Sequence, residues 1–149
     1  MHKIKLSPRR ISRSLAVQGL YHWQTNPKSV SEIEDFLHNH NSDLYLRANY
    51  DLLHYLLENA SNDFSSLLDF YSKYSSRPLN DIQQVEKAIL VIAATELKQN
   101  LEVPAPVIIN EAIELAKLYG GEDSFKFVNG LVDKLATELR TEEMNRNSR

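Results

Sequence analysis

The chain has no cysteine, which excludes disulfides, thiolate metal sites and thiol nucleophiles and suits a reducing, cytoplasmic setting. Four glycines and five prolines are too few to punctuate the short strands of a sandwich or barrel. The longest apolar run, Ala88 to Ala94, falls far short of the roughly 20 residues that span a bilayer. The opening "MHKIKLSPRR" offers no apolar core for a secretion signal. Also missing are a glycine-rich phosphate loop, a nucleophile elbow and an H-E-x-x-H pair. The carboxylate pairs Glu111/Glu114 and Glu122/Asp123 have the spacing of helix surfaces and helix starts. No catalytic residue and no cofactor is therefore expected.

One further absence is informative. Residues 1–31 contain no acid, while Lys3, Lys5, Arg9, Arg10, Arg13 and Lys28 give them a charge of +6; the rest of the chain carries −9. An acidic body with a basic end points to a localised polyanion site.

What is present is helical. Hydrophobic residues make up 42% of the 149, enough for a folded core, and Leu, Ala, Glu and Lys dominate the periodic stretches. Ser7 and Pro8 read as an N-cap and first-turn proline, opening a helix to about Thr25. Ser29 and Glu32 have capping-box spacing for a second helix that ends near "HNHNSD". A third is expected from about Leu44 to Ala60, and a fourth over "SNDFSSLLDFYSKY". Asn80 and Gln83 repeat the capping-box spacing before "QQVEKAILVIAATELKQN", whose apolar residues cover every side of the cylinder and mark a central helix. A sixth runs from about Val107 to the Gly120-Gly121 pair, expected as a left-handed C-cap, and a seventh from near Ser124 into a polar tail. The expectation is an all-α bundle of about seven helices in one unit. Its two helical subdomains span about 1–76 and 77–141, with a tail over 142–149.

Arg9, Arg10 and Arg13 sit at a helix start, where the peptide dipoles are positive and each cation loses about 0.3–1 kcal/mol. Arg9, Arg13, Val17 and Leu20 share one stripe, cationic and then apolar, as if the first turns project into water and burial starts at Leu15. Beside it runs a polar column of Arg10, Ser14, Gln18 and Tyr21. Two offsets for the dipole are open. The arginines pair with acids of the −9 body, or they meet the phosphates of a nucleic acid. In the last helix, Phe127 lies roughly 100–160° from most of the apolar face of Phe125, Val128, Leu131, Val132, Leu135 and Leu139. It is either an exposed ring beside Lys126, suited to stacking bases, or covered by another helix. Gly130 suggests a close approach, because glycine within a helix costs about 1 kcal/mol relative to alanine. His38 and His40 point apart on a helix end and make no metal site, and His22 and His54 read as hydrogen-bonded core residues.

The blocks "RRISRSLAVQGLYHWQ", "VEKAILVIAATEL" and "VPAPVIINEAIELAKLYGGEDSFKFVNGLVDKL" resemble, in order, the NusB family of transcription antitermination proteins. Residues 27–80 are the least distinctive part. The resemblance implies an RNA-binding factor that takes the boxA element of nascent ribosomal RNA transcripts together with the ribosomal protein NusE. With other Nus factors it would promote read-through by RNA polymerase in rRNA operons. Carried over by position, Arg9, Arg10, Arg13, Gln18 and Phe127 face RNA, with Asp123 bordering its path and opposing binding; Lys126 joins them as the lysine adjacent to Phe127 at the helix start. Ile11 interrupts the arginine run that is denser in the family. Tyr21 and Glu86 match positions near the ribosomal-protein surface. The free chain is read either as a monomer or as a homodimer that buries this face. Two rival readings are a helical scaffold that offers its arginines to an acidic protein, and a stand-alone relative of the N-terminal domain of ribosomal RNA cytosine methyltransferases.

Overall fold

Ser7 and Pro8 start the first helix as their chemistry requires. The Ser7 hydroxyl accepts from the Arg10 amide at 3.2 Å, Pro8 takes the first helical position, and α1 spans Pro8–Thr25. The computed structural model describes residues 6–147, within which there are nine α-helices, one 3-10 turn and no strand. All seven expected helices are present, the third in two pieces and the fourth shortened, and a further short helix occupies the expected tail. In α2 (Val30–His40) the capping box closes, with the Glu32 amide donating to Ser29 Oγ and the Ser29 amide to Glu32 Oε1.

The single helix expected over 44–60 is instead α3 (Ser42–Arg47) and α4 (Tyr50–Asn62), separated at Ala48, whose backbone is extended. The reason lies in α1. Buried Ser12 donates through its hydroxyl to the Asn49 carbonyl at 2.7 Å and accepts from the Asn49 amide at 2.8 Å. Asn49 then caps α4 by accepting from the Leu52 amide. After the short α5 (Phe64–Asp69) comes wholly buried Tyr71, whose hydroxyl donates to the Leu90 carbonyl at 2.7 Å; burial pushes its phenol above the ordinary range.

Gln83, not Asn80, precedes α6 (Gln84–Gln99), since Asn80 falls within the 3-10 turn Leu79–Asp81. As expected, α6 is central. Residues Ala88 to Leu97 are all buried, and the helix packs against α1, α4, α5, α7 and α8. α7 (Ala105–Tyr119) starts two residues before the expected Val107. The Gly120-Gly121 pair is not a left-handed cap: Gly120 has φ −90°, and no described residue has positive φ. Glycine is needed at 120 for space, because a Cβ there would overlap the Ser124 side chain and come within 2.7 Å of the Ala116 carbonyl. α8 (Ser124–Leu139) is followed by α9 (Thr141–Asn147), so most of the expected polar tail is helical. Gly130 faces open space, and nothing approaches it.

The crossing of α1 with α2 and α4 depends on Gly19, where a Cβ would meet Ile33 Cγ2 at 2.7 Å and Leu57 Cδ2 at 3.1 Å. Overpacking there costs about 1–3 kcal/mol, against about 1 kcal/mol regained from alanine's helix propensity. Gly19→Ala is expected to lower the urea midpoint with an unchanged m-value. An unaltered midpoint would mean that α2 shifts freely. Among the described residues no helix is long and apolar enough to cross a membrane.

Candidate nucleic-acid interface

The first turns of α1 do not project into water. Ile11, Ser12 and Arg13 are already buried. Arg13 is 4% exposed and forms a two-pronged ion pair with Glu96 of α6, Nε to Oε1 at 2.7 Å and a terminal nitrogen to Oε2 at 3.0 Å. Burial alone would lower the Arg13 pKa, but its hydrogen bonds to Glu96 hold it above the ordinary value. Arg10, half-buried, donates to Glu111 of α7 through Nε at 3.2 Å and a terminal nitrogen at 3.0 Å, and this bond raises its pKa. The dipole of α1 is thus offset within the molecule, by acids of the body. Arg9 is exposed.

The polar column does reach a groove. Its volume is about 340 Å³, with Leu6, Ile11, Leu44 and Leu118 as apolar walls and Arg10, Ser14, Gln18, Glu111 and Tyr119 as polar groups. The Ser14 and Tyr119 hydroxyls lie 2.5 Å apart, and the Gln18 amide donates to Tyr119 Oη at 2.7 Å. Tyr119 was absent from the sequence reading. The available signal was an aromatic residue with a polar tip just before the glycine that ends α7. Tyr21, further along the column, is 42% exposed.

At the start of α8, Lys126 and Asp123 are exposed, and the Asp123 side chain makes no cap hydrogen bond. Phe127 is half-buried: it packs against the edge of the core, and the Arg77 guanidinium sits over it, 3.8 Å from the ring centroid. Glu86 is no surface residue. It is 2% exposed, and its carboxylate accepts from Arg77 at 3.1 Å, Ser124 Oγ at 2.8 Å and the Gln83 amide at 3.3 Å. A capping-box acid that faces inward cannot meet a partner directly.

The histidines also differ from expectation. His22 is exposed and packs on Phe36, while His54 is exposed between Glu34, at 2.6 Å, and Glu58, at 3.2 Å. The hydrogen bond to Glu34 raises the His54 pKa. His40 Nδ1 lies 2.9 Å from the Phe36 carbonyl, and His38 stacks on Tyr45.

A model of the NusB family matches residues 10–137. The chain is 45% identical over 140 residues to the transcription antitermination protein NusB of Colwellia psychrerythraea, covering 94% of this chain and 100% of that one. To the NusB of Alcanivorax borkumensis it is 44% identical over 138 residues, covering 92% and 90%. Its structure is similar to that of T. maritima NusB, with a TM-score of 0.75 and 29% identity over 93% of this chain and 98% of the other.

Proposed function

The chain belongs to the NusB family, and from that premise we propose that it is an RNA-binding transcription antitermination factor. It takes the boxA element of nascent ribosomal RNA together with NusE, and in a complex with other Nus factors it promotes read-through by RNA polymerase. The observation that carries this reading is the groove along α1. A chain with an acidic body turns Arg10, Ser14 and Gln18 toward it, while Arg9 is exposed at the start of α1, beside a separate cavity lined by Asn49, Asp51 and Tyr55. Apolar walls with a few convergent polar donors suit unstacked bases, and exposed cations suit the phosphates. Arg9 and Lys126 supply the phosphate contacts, Arg10, its charge already matched by Glu111, lines the groove, Gln18 reads a base edge, and Asp123 repels the backbone. Arg13 positions α1 through Glu96 and does not touch RNA, and Tyr21 is the residue offered to NusE.

Two phosphate contacts to a single strand give a slope of log K against log salt of about −1.4, at about −0.7 per contact. Arg9→Ala and Lys126→Ala are each expected to remove about 0.7 from that magnitude and to weaken boxA and scrambled RNA alike. Gln18→Ala is expected to reduce the preference for boxA at constant slope. Anisotropy titrations over a range of salt, on the chain alone and on its gel-filtered complex with NusE, measure all three. Unchanged slopes in both cation variants, or equal affinity of the complex for boxA and scrambled RNA, would overturn the reading.

A further inference from the structure

Arg77 lies outside every residue assigned above, on the connection between α5 and α6, yet its backbone is anchored and its side chain is held from two sides. The Ser75 hydroxyl accepts from the Arg77 amide at 3.1 Å and donates to the Arg77 carbonyl at 2.7 Å, which fixes the backbone before Pro78. One edge of the guanidinium is held by Glu86, itself immobilised by Ser124 and the start of α6. Its guanidinium carbon sits over the Phe127 ring, 3.8 Å from the centroid. The side chain is nevertheless 36% exposed. An arginine at a surface normally loses considerable rotamer freedom when it is ordered by a ligand. Here most of that loss has already occurred on folding, so a ligand meets a flat cation that is already in position.

The geometry points to the Arg77–Phe127 stack as a platform on which one base of a single-stranded RNA lies, with Arg77 as the surface that touches it. This rests on the RNA-binding reading above and extends it to a residue that reading does not use. A guanidinium plane stacks on a nucleobase as it does on an aromatic ring, and Phe127 backs it from below. Glu86 neutralises the charge at contact distance. The platform therefore contributes stacking, which is insensitive to salt, while exposed Lys126 beside it attracts phosphate. Phe127 acts through Arg77, and Glu86 fixes the plane of the guanidinium, which gives a buried acid at a helix start a role in binding.

The test uses the full chain, alone and with NusE, on a boxA RNA carrying 2-aminopurine at successive positions. Arg77→Lys retains the charge opposite Glu86 but has no plane, and Arg77→Ala removes both. Each is expected to weaken binding about fivefold or more, the lower end for one stacked base, with the salt slope unchanged. At one position the 2-aminopurine quenching seen with wild type should disappear in both variants. Thermal melts of each variant separate loss of contact from loss of fold. Wild-type affinity in Arg77→Lys, or a loss accompanied by a slope change of about 0.7, would overturn the platform. If Arg9→Ala and Lys126→Ala still behave as proposed, only the platform fails. If they too leave binding unaltered, the RNA-binding reading itself falls.

Discussion

Glu96→Ala is expected to lower the unfolding free energy by about 3–5 kcal/mol, because it leaves the Arg13 guanidinium at 4% exposure with no acid opposite it. Domains of this size have only about 5–15 kcal/mol in total, so the variant stands near the edge of folding at growth temperature. Replacing both partners by apolar residues, Arg13→Met with Glu96→Leu, is expected to destabilise less than either single loss, since no charge then remains buried. The double variant also decides what Arg13 does. If Arg13 only positions α1, the folded double variant binds RNA as wild type does. A stable double variant that binds more than threefold more weakly would make Arg13 a contact after all. Urea denaturation supplies the stabilities, and anisotropy at saturating folded fraction supplies the affinities.

That pair also shows why the candidate site was only half legible. A helical wheel identifies which residues share a side of α1, and the column Arg10, Ser14, Gln18 was correct as a surface feature. It does not say what faces each side. Glu111 and Glu96 lie 101 and 83 residues further along the chain, and only the packing of α6 and α7 on α1 brings them opposite the arginines. The same reason governs Phe127, off the main apolar stripe of α8 yet half-buried against the edge of the core and covered by a side chain from a distant connection. Glu86 entered only through its matching position in the family, near a partner surface; here Arg77 and Ser124 reach in to satisfy it.

The fold was legible where the determinants are local. Ser7 with Pro8 and Ser29 with Glu32 act over three residues, and both set the helix starts where they were expected. The apolar run of α6 needs no partner to be read as buried. The break before α4 was invisible because Ser12, 37 residues away, holds Asn49. The glycine pair after α7 misled for a related reason: space for Ser124, not a positive φ, is what Gly120 provides.

The largest effect of all from a residue outside the sequence reading is expected at Arg140, which joins α8 to α9. Its side chain is 5% exposed and donates to the carbonyls of Leu97 at 2.7 Å, Glu96 at 3.0 Å, Asn100 at 3.1 Å and Val103 at 3.1 Å, and to Glu143 at 2.8 Å. The last carbonyls of a helix have no intrahelical partner, and Arg140 meets that need at the end of α6. Glu143, in turn, accepts from the first amide of α7, at Ala105. Burial would raise the Glu143 carboxyl, but the Ala105 amide and Arg140 hold it below the usual carboxylate range. Its contribution to stability is therefore present at neutral pH and lost as pH falls through that lowered value. Arg140→Met leaves the Leu97 and Val103 carbonyls without donors, while those of Glu96 and Asn100 keep the amides of Asn100 and Val103; at about 1–3 kcal/mol for each orphaned acceptor, the expected loss is on the order of 3–5 kcal/mol. Arg140→Lys, with fewer donors and no planar fork, is expected to fall between. Because one of the carbonyls that Arg140 braces belongs to Glu96, combining Arg140→Met with Glu96→Ala is expected to destabilise by less than the sum of the two, the end of α6 loosening once for both. Additive losses would mean that the two arginines hold α6 independently, and a loss below about 1 kcal/mol for Arg140→Met would mean that water reaches the carbonyls in its place.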